Sequence, residues 1–94
     1  MYVVSLTYHQ SIDVVEPLTE SHKAWLKKYY AQGVFIASGR KVPRTGGIIL
    51  VKSIAREELD KIVSEDPFNA VADYSVTEFV PSMTIASLEA LKSL

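Results

Sequence analysis

Val34-Phe35-Ile36-Ala37-Ser38-Gly39-Arg40-Lys41 and Ile48-Ile49-Leu50-Val51, joined through the turn-rich stretch Gly39 to Gly47, decide the fold. In the first run Val34 and Ile36 share one face and Phe35 and Ala37 the other, the two-residue period of a strand. The second run is apolar on both faces and reads as a strand central in a sheet. The stretch Gly39 to Gly47 holds three glycines, a proline and three basic residues, so the chain reverses there. Residues 34–51 therefore read as a hairpin.

The segments on either side of the hairpin are helical. Upstream, Leu18, His22, Trp25, Leu26 and Tyr29 recur at spacings of three and four, one face of a helix over about 17–32. Pro17 suits its first turn, Glu16 and Glu20 sit where the helix dipole favours anions, and Gly33 stops it. Downstream, Ala55, Leu59, Ile62 and Val63 form the stripe of a second helix, with Ser53 as its expected cap. Asp66-Pro67 breaks that helix and starts a short turn. The outer segments are strands again. Tyr2, Val4, Leu6 and Tyr8 alternate with Val3, Ser5 and Thr7, and Asp73 to Val80 forms the last strand before Pro81. Residues 10–16 read as an acidic loop, and 84–93 as a short C-terminal helix carrying Ile85, Leu88 and Leu91.

The order is βαββαβ. Two right-handed crossovers joined by a hairpin give an α+β fold, the ferredoxin-like plait, with a four-stranded antiparallel sheet and two helices on one face. Ninety-four residues make a single domain, core 1–81. The opposite sheet face, carrying Val3, Phe35, Ile49 or their alternates, lacks a cover within the chain. The expectation is a homodimer in which two such faces stack.

The composition narrows the function. Apolar residues are 48% of the chain and charged residues 22%, giving a net charge of −1. A nucleic-acid grip needs a basic surface, so none is expected. Absence of cysteine removes thiolate nucleophiles and Cys-ligated metals. No apolar run approaches the ~20 residues of a membrane helix. Met1-Tyr2-Val3-Val4-Ser5 lacks the pattern of a secretory signal, and the expected location is cytoplasmic.

Topology collects the polar residues at one end. If the first strand runs upward, the start of the first helix, the hairpin turn and the segment after the second helix all lie at the top. Tyr8, His9, His22, Ser38, Gly39, Arg40, Asp66, Phe68 and Asn69 therefore gather there. His22 lies on an apolar stripe and reads either as a packed histidine or as a general acid–base group facing a cleft. Asp66 reads as the cap of the turn at Pro67 and as a carboxylate that orients an imidazole; the roles are compatible. Gly39 tolerates unusual backbone or close packing. Arg40, Lys41 and Arg44 are three of the ten basic residues. They make a solvated hairpin tip or, for Arg40 above all, draw an anionic substrate to the cleft. Tyr29 and Tyr30 read as packing residues. His9, His22 and Asp66 lack a tight ligand spacing, and Gly46-Gly47 lacks a phosphate-loop pattern. Neither metal nor cofactor is expected.

The chain resembles the YciI-like (YCII-related) family. Met1-Tyr2-Val3-Val4-Ser5-Leu6, Glu20-Ser21-His22-Lys23-Ala24-Trp25-Leu26, Gly33 through Gly39, Gly46-Gly47-Ile48-Ile49-Leu50 and Asp66-Pro67-Phe68 carry the resemblance. It implies a dimeric α+β barrel whose cleft holds a His–Asp pair, falling here on His22 and Asp66. The tail beyond Pro81 matches least. The expected function is a small cofactor-free enzyme, of isomerase, lyase or hydrolase type. In it His22 moves a proton, Asp66 orients it, and Ser38, Gly39, Arg40 and Phe68 bind a small anionic or aromatic molecule. The alternative is a module on the same scaffold that binds or senses a metabolite without catalysis.

Overall fold

The computed structural model describes residues 1–94. β1 (Tyr2–Tyr8) leads to a short α1 (Ile12–Val15), a 3₁₀ turn (Glu16–Leu18) and α2 (Thr19–Ala31). β2 (Phe35–Arg40) and β3 (Gly46–Val51) form the hairpin, followed by α3 (Arg56–Ser64), a 3₁₀ turn at Pro67–Ala70 and β4 (Ala72–Glu78). The sheet is antiparallel in the order β2-β3-β1-β4, the ferredoxin-like plait.

One face of the sheet is the core. Tyr2, Val4 and Leu6 of β1 and Ile49 and Val51 of β3 are buried with Trp25 and Tyr29 of α2 and Leu59 and Ile62 of α3. Two bonds tie these elements together. Trp25 Nε1 donates to the Ile62 carbonyl at 2.9 Å, joining α2 to α3, and Tyr2 donates its hydroxyl to the Ile54 carbonyl at 2.9 Å. α2 ends at Gly33, whose φ of +72° is the left-handed conformation that glycine adopts without strain. Gly46 is required by close approach. A Cβ there would lie 1.8 Å from the Leu6 carbonyl oxygen, so only glycine lets β3 begin against β1.

β2 contains a bulge at Ile36, between the Phe35–Val51 and Ala37–Leu50 pairs. The extra residue reverses which side chains face the helices. Phe35 is buried in the core, yet beyond the bulge it is Ser38 and Arg40, opposite Ile49 and Gly47, that share the helix-covered face. The open face carries Val3, Ala37, Ile48 and Leu50, with Asp73, Ser75 and Thr77 on β4. Phe35 and Ile49, named above for that face, belong to the core instead: the pairing register puts both beside Val51 and Val4.

Four local expectations are corrected. Residues 12–15 are helical rather than loop, because Val15 is fully buried and anchors the entry to α2. Ser53 does not cap α3: the N-cap is Ala55, and Ser53 Oγ instead accepts from the chain's amino terminus at 3.2 Å. Ala55 is exposed, so the α3 stripe begins at Leu59. The C-terminal segment is 3₁₀ helix at Ala86–Ser93, kinked at Leu88, with no buried residue. Without a packed face or a side-chain cap, so short a segment has little to hold it as α-helix.

Candidate functional site

A cleft of about 230 Å³ opens between α2 and the β1, β2 and β3 strands. Tyr8, His22, Lys23, Ser38, Arg40 and Arg44 supply its polar lining, with Gly39, Gly47 and Phe68 among the rest. The bulge in β2 puts Ser38 and Arg40 on this side. Ser38 Oγ and the Tyr30 hydroxyl lie 2.7 Å apart, which steadies the strand edge against α2. Arg44 pairs with Glu16 at 2.5 Å, bridging the hairpin turn to the turn that precedes α2. Lys41 donates to Thr7 Oγ1 at 2.9 Å and belongs to the turn.

Behind the cleft sits Asp66, 2% exposed and the one buried charged residue of the chain. Its position follows from local chemistry. The residue before a proline is pushed toward extended backbone, and Asp66 has φ −70° and ψ 124°. In that conformation it caps the Pro67–Ala70 turn, Oδ1 accepting from the Phe68 N–H at 3.0 Å. The same Oδ1 lies 2.8 Å from His22 Nδ1. Oδ2 accepts from the Tyr74 hydroxyl at 2.5 Å. Both expected roles of Asp66, cap and imidazole partner, are thus met by one oxygen.

An ionised carboxylate only accepts, so Nδ1 carries the proton that meets Asp66, and in the neutral ring the lone pair is on Nε2. Nε2 has no hydrogen-bond partner within the chain. The imidazole plane is also fixed. It stacks on Phe68 with ring centroids 3.9 Å apart and an angle of 7°, and Trp25 lies 5.6 Å away on α2. One ring face is covered by Phe68, and His22 is among the residues that line the cleft. His22 is held from two directions, by a carboxylate that sets its tautomer and an aromatic that sets its plane.

Tyr74 was not anticipated by sequence reasoning. Strand β4 begins one residue earlier than its alternation suggests, and Tyr74 pairs with Leu6 on the helix-covered side. Burial, and then the bond to Asp66, push its hydroxyl far above the usual tyrosine range, so it remains a donor. Lys23 and Thr19 at the cleft were likewise missed; four residues apart, they are neighbours on α2, and Thr19 is also one turn before His22. Arg44 of the hairpin tip lines the cleft while paired with Glu16. His9 is exposed and does not line the cleft, and Asn69 braces the turn through bonds to the Val63 and Asp66 carbonyls at 2.8 Å each. No three His, Asp or Glu side chains cluster at metal-binding range.

A second polar cluster lies elsewhere, where α2 meets the end of α3. The Tyr29 hydroxyl donates to Glu65, and Lys28 Nζ lies 3.4 Å from the same carboxylate. The bond from Tyr29 is the main cause that holds the Glu65 carboxyl below its usual range, and the same bond raises the Tyr29 hydroxyl.

No curated protein matches the chain in sequence. Among solved structures, it is similar to a 5-chloro-2-hydroxyhydroquinone dehydrochlorinase from Burkholderia phenoliruptrix AC1100, in complex with 2,5-dihydroxybenzoquinone. The TM-score is 0.68 at 18% identity, covering 84% of this chain and 93% of that one. That likeness is one of fold. The model of the YCII-related domain matches residues 1–80, and the chain belongs to the YCII-related domain family.

Proposed function

We propose that the protein is a small-molecule enzyme in which His22 and Asp66 carry out acid–base chemistry. The observation that carries this reading is the locked imidazole: Nδ1 engaged by a buried carboxylate, Nε2 unpartnered, on a residue that lines a cleft. Nε2 takes a proton from an acidic O–H or C–H of the substrate, and the bonding electrons stay on the substrate. Asp66 stabilises the imidazolium so formed. The cationic groups of Lys23, Arg40 and Arg44 at the cleft favour the substrate anion. Return of the proton to another atom completes an isomerisation. Departure of a leaving group with its electron pair completes an elimination.

Cleft size limits the substrate. A cavity of ~150 Å³ holds benzene, so about 230 Å³ takes one six-membered ring with polar substituents. The Burkholderia protein with the similar plait is named for dehydrochlorination of a hydroxylated ring. It supports a small aromatic substrate and an elimination-type reaction here.

A panel of small aromatic and dicarboxylic acids, screened by thermal shift and then assayed for turnover, tests the proposal. A ring bearing acidic hydroxyl or carboxyl groups should be turned over. His22→Asn should reduce the rate by a factor of 10² to 10⁴, the usual worth of a general acid–base group, and leave the melting temperature close to that of the parent. Turnover unchanged in His22→Asn overturns the proposal. Binding by the parent without turnover of any hit replaces it with the metabolite-sensing alternative.

A further inference from the structure

We infer that Tyr74 is a positioning residue of the site, completing a Tyr74–Asp66–His22 chain that fixes the tautomer of the imidazole. The inference rests on the acid–base reading of His22 and adds a member to it.

Three observations carry it. First, the two oxygens of Asp66 have divided duties. Oδ1 is shared between the Phe68 N–H at 3.0 Å and His22 Nδ1 at 2.8 Å, while Oδ2 has the Tyr74 hydroxyl alone, at 2.5 Å. A carboxylate bonded only through Oδ1 is free to turn about its last torsion, which is broad and roughly two-fold in carboxylate side chains. A full half-turn only exchanges equivalent oxygens, but the intermediate turns swing the acceptor out of line with Nδ1. The Tyr74 hydroxyl pins Oδ2, and through it the plane in which Oδ1 meets the imidazole.

Second, Tyr74 is placed by the hydrogen-bonded sheet. β4 pairs with the central strand β1 along its whole length, and Tyr74 lies opposite Leu6, itself buried in the core. Asp66 and Phe68, by contrast, sit on a connection after α3. The hydroxyl therefore references a loop carboxylate to the sheet. Third, the Asp66 side chain is fully buried, so water does not replace a lost donor on Oδ2. Burial and the bond to Asp66 keep Tyr74 protonated, the state in which it donates.

The side chains that face this group come from every packed element: His22 from α2, the Phe68 ring from the turn, and Tyr74 from β4. A residue that merely fills space at position 74 would act equally well as phenylalanine. A positioning residue would not, because the difference lies in one oxygen.

The test reads the imidazole directly, without substrate. In protein labelled with ¹⁵N-histidine, at about pH 9 and so well above the ordinary imidazole range, the parent should show His22 as a single Nδ1–H tautomer. Its Nδ1 proton should exchange slowly. In Tyr74→Phe the Nδ1–H tautomer should lose its exclusivity, and its proton should exchange roughly tenfold faster, the equilibrium worth of one hydrogen bond to a charged group. Rescue by 3-fluorotyrosine at position 74, which restores the hydroxyl in the same shape, should return both signals. This variant also serves if Tyr74→Phe folds poorly, since a changed donor acidity should then shift the Nδ1 proton resonance. A tautomer ratio and exchange rate equal to the parent's in folded Tyr74→Phe, or an unmoved resonance with 3-fluorotyrosine, overturns the inference. Asp66→Asn separates the two levels. If it too leaves the His22 signals unchanged, the His22–Asp66 pairing fails; if it alone disturbs them, the pairing stands and Tyr74 has no part in it.

Discussion

Asp66 offers the sharpest test of how the site is built, since its removal can be costed bond by bond. In Asp66→Asn the amide oxygen can replace Oδ1 toward the Phe68 N–H and His22 Nδ1, and the amide nitrogen then faces the Tyr74 hydroxyl. That hydroxyl can turn to accept, so each bond survives in a neutral form. A hydrogen bond to a charged group contributes roughly 1.5–3 kcal/mol and a neutral one about 0.5–1.5. The loss is about 1 kcal/mol per bond and, over the three, about 2–3 kcal/mol. Asp66→Ala removes the acceptors altogether. Phe68 N–H is then buried without a partner, while half-buried His22 and Tyr74 regain some hydration, so the cost rises to about 3–5 kcal/mol. Urea unfolding followed by far-ultraviolet circular dichroism measures both. At the slope of 1–3 kcal/mol per molar usual for small proteins, Asn should shift the midpoint by ~1–2 M. A shift below ~0.3 M for Asn together with one below ~1 M for Ala would refute the reasoning, because the three bonds would then carry no weight in solution.

Trp25→Ala should destabilise the fold by about 3–5 kcal/mol, since the ring is buried against Phe35 and Tyr29 and its Nε1 bonds the Ile62 carbonyl; a loss under ~1 kcal/mol in the same unfolding assay would contradict that packing. The Glu65 carboxyl is held below its usual range in the folded state, so its contribution is complete above about 4.5 and is lost as the pH falls through the folded value. Glu65→Gln should therefore flatten the acid limb of a melting-temperature-versus-pH profile, and an unchanged limb would contradict it. Tyr29 and Tyr74 are shifted the opposite way, so their contribution is complete below about 10 and declines as the pH rises beyond it; the alkaline limb should flatten in Tyr29→Phe. The open face of Val3, Ala37, Ile48 and Leu50 should be covered by the same face of a second copy, giving a dimer in sedimentation at micromolar concentration; a monomer there, or a dimer unaffected by Leu50→Lys, would contradict it.

The plait was legible because periodicity, breakers and element order agree. Strand alternation at 2–8, the helical stripe from Leu18 to Tyr29, and the hairpin around Gly46-Gly47 leave one arrangement that obeys crossover handedness. His22 and Asp66 were legible for a similar reason: topology and motif resemblance converge on them independently. What escaped was whatever depends on a shift of one residue. The bulge at Ile36 changes which of Phe35, Ser38 and Arg40 face the helices, and nothing in the alternation of 34–37 announces it. Tyr74 escaped because its role depends on the register of β4 against β1, a long-range pairing. Ser53 has the side chain of a cap, yet it is used by the amino terminus, a partner 52 residues away. Its local sequence could not show that competition.

The single tryptophan of the chain lies beside the imidazole, with ring centroids 5.6 Å apart, and shares the α2 helix with it. The protein thereby carries its own optical probe. An excited indole is quenched by electron transfer to a nearby imidazolium and much less by a neutral ring. Emission should consequently fall when a molecule in the cleft gives its proton to Nε2. Because no other indole contributes, the signal needs no label, and excitation at the red edge of the indole band, beyond tyrosine, lets occupancy of the cleft be followed during a stopped-flow turnover.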